Sequence, residues 1–255
     1  MAESKFEVPT ENVDLPSKGL IYDKENPLSS GVVEMKYMTA KEEDILTNVN
    51  LLRQGLAIEK TLMSLIKSNV KYEDLTVGDR NALLIAARIL SYGKDYSFRY
   101  TNPNTNEDEE VTVDLQNVKY REVDWSLFDN KNEFEFAIPN SKNSVTFKIL
   151  TVADDKKIDE EIKGLKKVAG QEAGYLTTRL KHQILSVNGD YSVKTVRDFI
   201  DSGALLAVHA LALRTYIKKI TPDIDTNVSF TLKDGTEINV DLPMGAEFFF
   251  PASGV

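Results

Sequence analysis

One stretch limits the fold more than any other. From Asp79 to Gly93 the chain reads DRNALLIAARILSYG. Coiled as a helix over 78–92, it carries Ala82, Leu83, Leu84, Ile85, Ala86, Ala87, Ile89 and Leu90 on nearly every face. A helix apolar all round needs cover on all sides. It is therefore predicted to be central, with the rest of the 255 residues wrapped about it. Gly93 ends it, because glycine accepts the backbone that closes a helix.

Around that helix the periodicity alternates between helix and strand. Residues 1–30 read as an extended arm, since Pro9, Pro16, Pro27, Gly19 and Gly31 oppose regular helix. Such an arm straps onto its own body or reaches to a partner. Gly31–Met38 reads as a strand, and Thr39 then caps a helix with Glu42 at the capping-box position. Helices are predicted over 40–53 and 56–68. A hairpin follows the central helix, with Tyr96, Phe98 and Tyr100 alternating on one arm and Val111, Val113 and Leu115 on the other. Its tip, TNPNTNEDEE, is polar and acidic. Strands are predicted at Glu133–Ile138 and Ser144–Leu150, then helices over 153–169, 175–188, 193–202 and 204–219. A second hairpin, Val228–Leu232 with Glu237–Leu242, is turned by Asp234 and Gly235.

These elements follow one order twice. VEMKYMTAKEEDI matches VTFKILTVADDKKI, pairing Thr39 with Thr151 at an offset of 112. Ile66 pairs with Ile184 at 118, and Asp79, Ala82, Leu83 and Leu84 with Asp201, Ala204, Leu205 and Leu206 at 122. In the hairpins Ser97-Phe98 pairs with Ser229-Phe230 at 132, and Val113 through Leu115 with Val240 through Leu242 at 127. The fall from 132 to 127 makes the first hairpin five residues longer. The expected fold class is α+β, in two pseudo-repeated halves. The arm fills 1–30, the first half 31–130, and the second half 131–255 with the C-terminal hairpin.

Chemistry is sparse. The chain has no cysteine, hence no disulfide, thiolate metal site or thiol nucleophile. Phosphate-binding glycine loops, the GxSxG elbow and HExxH are missing. His182 and His209 both fall in predicted helices, where a core or groove position is the ordinary reading. The acid pairs Glu42-Glu43, Asp154-Asp155 and Glu160-Glu161 sit at helix starts and on helix faces, where capping and solvation account for them. Neither a catalytic residue, a cofactor nor a metal is expected. A net charge of -9 makes general nucleic-acid binding a poor expectation. No apolar run approaches the ~20 residues of a membrane helix, and the polar start lacks a signal-peptide core, so a cytoplasmic site of synthesis and action is expected. Asp79, Arg80, Arg88 and Arg214 flank the apolar helices as candidate structural ion pairs. The apolar residues of the arm and the three phenylalanines before Pro251 need burial against the body or a partner.

Five strings in order carry a resemblance. VDLPSKGLIY (13–22), MTAKEED (38–44), DRNALLIAARILSYG (79–93), LALRTYIKKITP (211–222) and EFFFP (247–251) resemble segments of the baseplate-hub proteins of T-even-like contractile-tailed bacteriophages. The resemblance implies a non-enzymatic structural or assembly protein of the tail baseplate central hub. Two alternatives stay open: a transient chaperone for tape-measure or hub proteins, and a carboxylate-based cell-wall hydrolase. Implied partners are other baseplate-hub or tape-measure proteins, or a second copy, with no nucleic acid and no membrane. The implied location is the virion tail baseplate, or the host cytoplasm during assembly. Leu15, Pro16, Gly19, Leu20, Tyr22, Phe248, Phe249, Phe250 and Pro251 are the candidate docking residues, with the phenylalanines on an extended end. Paired cysteines at hairpin tips occur in some members of the family; none stands here, so no metal role is carried over.

Overall fold

The structure, a computed structural model, describes residues 7–169 and 174–249. Among these, eight α-helices and nine short strands make an α+β fold with small antiparallel sheets. β1 (Thr10–Asp14) pairs antiparallel with β2 (Val32–Lys36), setting Val13 opposite Val33. The predicted extended arm is thus, over its described residues, a strand and a chain of turns packed on the body. Its apolar residues decide this: Leu15, Ile21, Tyr22 and Leu28 are all buried.

The predicted helix over 40–53 is two helices, α1 (Ala40–Leu46) and α2 (Val49–Gln54). Asn48 breaks it, because its side chain accepts the N–H groups of Asn50 and Leu51 and starts a new cap. α3 (Ala57–Leu65) leads to α4 (Val77–Tyr92), the central helix, with Thr76 as N-cap and Gly93 closing it at φ 83°. Both its faces are covered; Leu83, Leu84, Ile85 and Ala87 are buried. β3 (Asp95–Thr101) and β4 (Asp108–Asp114) form the first hairpin.

The second run begins with β5 (Phe134–Ala137) and β6 (Ser144–Phe147), then α5 (Val152–Ala169) and α6 (Tyr175–Gln183). Here the predicted helix over 175–188 is corrected. It stops at Gln183, and β7 (Ile184–Val187) adds a third strand to β5 and β6. Ile184, Ser186 and Val187 are buried there, and β-branched residues fit a pleated, half-covered surface better than a helix end. α7 (Val193–Asp201), α8 (Ala207–Ile220) and the hairpin of β8 (Asn227–Thr231) with β9 (Glu237–Asp241) complete the chain.

Several paired matches fall on matching contacts. Met35 bridges Ile66, and Phe147 bridges Ile184. Asp95 faces Asp114 in one hairpin, as Asn227 faces Asp241 in the other. The longer first hairpin has two more rungs, Tyr100 with Glu109 and Thr101 with Asp108, and a longer loop. The match at 122 behaves differently: it lays the start of α4 on the break between α7 and α8.

Two hydrophobic clusters make the core. One gathers α3, α4 and the first hairpin, together with Leu232, Leu242, Phe248 and Phe249 from the end of the chain. The other gathers β5–β7 with Leu180, Val196, Phe199, Leu213 and Ile217. The two hairpins pack together, with Phe230 edge-on to Phe98 at 5.6 Å and to Tyr100 at 5.4 Å.

Candidate functional site

The candidate docking residues of the arm turn inward. Pro16 and Ser17 are buried, and the Ser17 N–H donates to Asp79 Oδ1 at 3.0 Å. Tyr22 donates its hydroxyl to Asp79 Oδ2 and accepts the Thr76 N–H at 3.0 Å. Burial pushes the Asp79 carboxyl above its ordinary range, against the hydrogen bonds from Tyr22 and Ser17 that lower it. Burial, with Asp79 beside it, holds the Tyr22 phenol well above its usual value.

Gly19 has φ 76°, and a Cβ there would lie 2.3 Å from the Ser29 carbonyl oxygen. Only glycine lets the two backbones meet so closely. Leu15 and Tyr22 enter the first cluster while Ile21 enters the second, with Leu20 packed against it, so this one segment ties both cores. From its outer side Asn130 donates its backbone N–H to Leu20 at 2.9 Å, and Lys18 lies 4.2 Å over the Trp125 ring.

The C-terminal docking candidates are also internal where described. Phe248 and Phe249 are 0% and 1% exposed. They lie in a 3-10 turn, Ala246–Phe249, rather than on the expected extended end. That turn points both rings inward, Phe248 against Tyr96 at 4.9 Å and Phe249 edge-on to Phe248 at 5.6 Å. Phe250 and Pro251 lie outside the described residues.

The expected ion pairs of Asp79, Arg80, Arg88 and Arg214 do not form among the described residues. Backbone carbonyls and amides take the place of the opposite charges. Arg88, 2% exposed, donates to the carbonyls of Phe248 (3.0 Å), Gly93 (3.2 Å) and Asp95 (3.4 Å). It thereby fastens the chain end to α4 and the first hairpin. Arg80 donates to Asn81 Oδ1 at 3.3 Å, and Arg214 Nε to the Ala210 carbonyl at 3.2 Å.

The paired acids hold structure. Glu42 accepts Lys36 Nζ at 2.7 Å, the Thr39 N–H at 2.9 Å and Ser64 Oγ at 2.7 Å. Burial pushes its carboxyl up, but the donors outweigh burial and hold it at about 2. Asp154 repeats the arrangement with Lys148 Nζ at 2.7 Å and the Thr151 N–H at 3.1 Å. The sequence reading caught Thr39 and Glu42 but missed the lysines; the spacing K-x-x-T-x-x-(E/D) was the available signal. Glu161 receives Arg197 at 3.0 Å through two nitrogens and lies 2.8 Å from His182 Nε2. The acidic hairpin tip engages the other hairpin. Glu109 accepts the Lys233 N–H at 2.9 Å and Asn104 donates to Asp234 at 3.2 Å. Among the described residues no three His, Asp or Glu side chains gather as metal ligands do, and no helix is long and apolar enough to cross a membrane.

A family model described as T4 bacteriophage base plate protein matches residues 14–250. No curated protein and no solved structure matches the chain.

Proposed function

The chain belongs to the T4 bacteriophage base plate protein family, and on that premise we propose that it is a structural or assembly subunit of the baseplate's central hub, acting by contact rather than catalysis. As a phage baseplate protein it assembles with other tail proteins in the virion tail. The observation that carries the finer reading is the use made of the motif residues. Ser17, Tyr22, Asp79, Arg88 and Phe248 are spent on closing the fold, Glu42 and Asp154 on capping helices, and Glu161 on holding Arg197 and His182. A chain built this way offers neighbours a rigid outline. The arm and the phenylalanine end then serve docking indirectly, by fixing the surface that partners meet.

The test is an infection with a phage lacking this chain, with the protein supplied in trans. Complete baseplates without it would overturn the proposal. Mass spectrometry of purified virions, beside that of assembly intermediates, then separates a resident subunit from a transient chaperone of hub or tape-measure proteins. Clearing of cell-wall glycan by the purified chain would replace the contact reading with the hydrolase.

A further inference from the structure

A cleft of about 310 Å3 opens between α6 and α8, bounded at one end by Val77 and Gly78 of α4. Its floor is apolar: Leu180 is 2% and Ile217 8% exposed, and Leu176, 39% exposed, stands at the mouth. Its rim is cationic. Arg121, Arg179, Arg214 and Lys218 face it, against one carboxylate, Asp223. Arg179 reaches Asp155 at 3.0 Å, and Arg121 is loosely set 3.6 Å from Asp223. Among the described residues neither Arg214 nor Lys218 has an acidic partner.

Lys218 lies in the last turn of α8, where the helix dipole favours a cation. That explanation does not extend to Arg214 in mid-helix, to Arg179 in α6, or to Arg121 outside any helix. Beyond the cleft, α8 continues the same surface with Leu211 (56% exposed) one turn before Arg214, and Val208 (64%) one turn before Leu211. Exposed apolar residues in a row beside unpaired cations are the mark of a contact surface.

We propose that this groove docks an acidic segment with an apolar anchor, in helical form, from another baseplate protein. Charge complementarity decides the occupant. The chain as a whole carries -9, yet here four cations meet two acids, Asp155 and Asp223, which leaves Arg214 and Lys218 without an acidic partner among the described residues. A helix laid in such a groove sets apolar residues on the floor and acids on the rim. A nucleic acid is the other polyanion to weigh, but an apolar floor gives phosphates no partner. The proposal rests on the baseplate reading for the source of the segment.

The probe is a short fluorescein-labelled peptide of glutamates with leucines at helical spacing, followed by anisotropy with the full chain. The expected result is binding that weakens with salt, and weaker binding of a peptide with the same residues in scrambled order. Arg214→Glu with Lys218→Glu should lose about tenfold or more in affinity. Lys60→Glu with Lys67→Glu, on exposed positions off the groove, should lose little. Thermal melts show that each variant is folded, and Arg214→Ala with Lys218→Ala serves if the charge reversal is not. Equal binding of the scrambled peptide, unchanged binding by the groove variants, or displacement by a single-stranded oligonucleotide overturns the proposal. So does self-association of the wild-type chain that the groove variants abolish, since the occupant is then a second copy. Infection with the groove variant supplied in trans keeps the two readings apart. If the wild-type chain is itself dispensable for baseplates, the baseplate reading fails whatever the peptide does. If it is required and the groove variant replaces it fully, the groove proposal fails alone.

Discussion

Asp79 is the residue on which the arm closes, and its titration is legible in stability. Burial raises its carboxyl above the ordinary 3.8, so the folded chain binds that proton more tightly than the unfolded one. Its contribution is whole below about pH 4 and drains away as the pH rises through the folded value. Glu42 runs the opposite way. Held at about 2 against an ordinary 4.5, it contributes fully above about pH 4.5 and loses that contribution as the pH falls toward 2. Urea unfolding across pH should therefore show a shallower decline on the alkaline side of pH 4 for Asp79→Asn than for wild type. It should show a shallower loss on the acid side for Glu42→Gln. Curves parallel to wild type would mean these carboxyls are not perturbed. Tyr22→Phe leaves the Thr76 N–H and Asp79 each short of a partner, a loss of about 1–3 kcal/mol in the same experiment. The sequence singled out Asp79, Tyr22 and Glu42 but paired Asp79 with arginines. Spacing along a chain does not tell that a phenol 57 positions away will supply the proton.

At the scale of elements, what was legible followed local chemistry. α4, capped by Thr76 and ended by Gly93, differs from its expected bounds by one residue, because both its ends are marked by cap residues. α6 was overrun because nothing local stops it; the strand that follows exists only by pairing with β6, a tertiary cause. The two matched capping sites give a direct test of the proposed repeat. Thr39→Val and Thr151→Val should each cost about 1 kcal/mol in denaturant midpoint measurements, and by similar amounts. A loss at one site only would mean that the matched spacing is coincidental. Gly78→Ala tests a junction the sequence left unmarked. A Cβ there would stand 2.1 Å from the Pro222 carbonyl oxygen, so α4 must shift from the segment after α8, at a cost of about 1–3 kcal/mol.

Across the whole molecule, residues distant in sequence, Leu15 and Val33 with Leu232, Leu242, Phe248 and Phe249, meet in one core. Alternation along a strand shows that a hairpin has an apolar face, but not which body that face will cover. Here the last hairpin and Phe248 and Phe249 close the cluster that Leu15 and Val33 begin. Phe248→Ala should cost about 3–5 kcal/mol. Truncation after Pro243 should leave a chain with no cooperative thermal transition, since total stability is only about 5–15 kcal/mol. A truncated chain melting like wild type would show that the phenylalanines are not core. The arrangement also sets a timetable for synthesis. Leu15 leaves the ribosome 234 residues ahead of Phe249, an interval of about 10–50 s at roughly 5–20 residues per second. Throughout it α4 waits with one flank bare, so the growing polypeptide cannot mature from front to back. A nascent chain stalled before Phe248 is expected to stay open to proteases even in the segments translated first, and to gain resistance once Phe248 and Phe249 pack into that cluster.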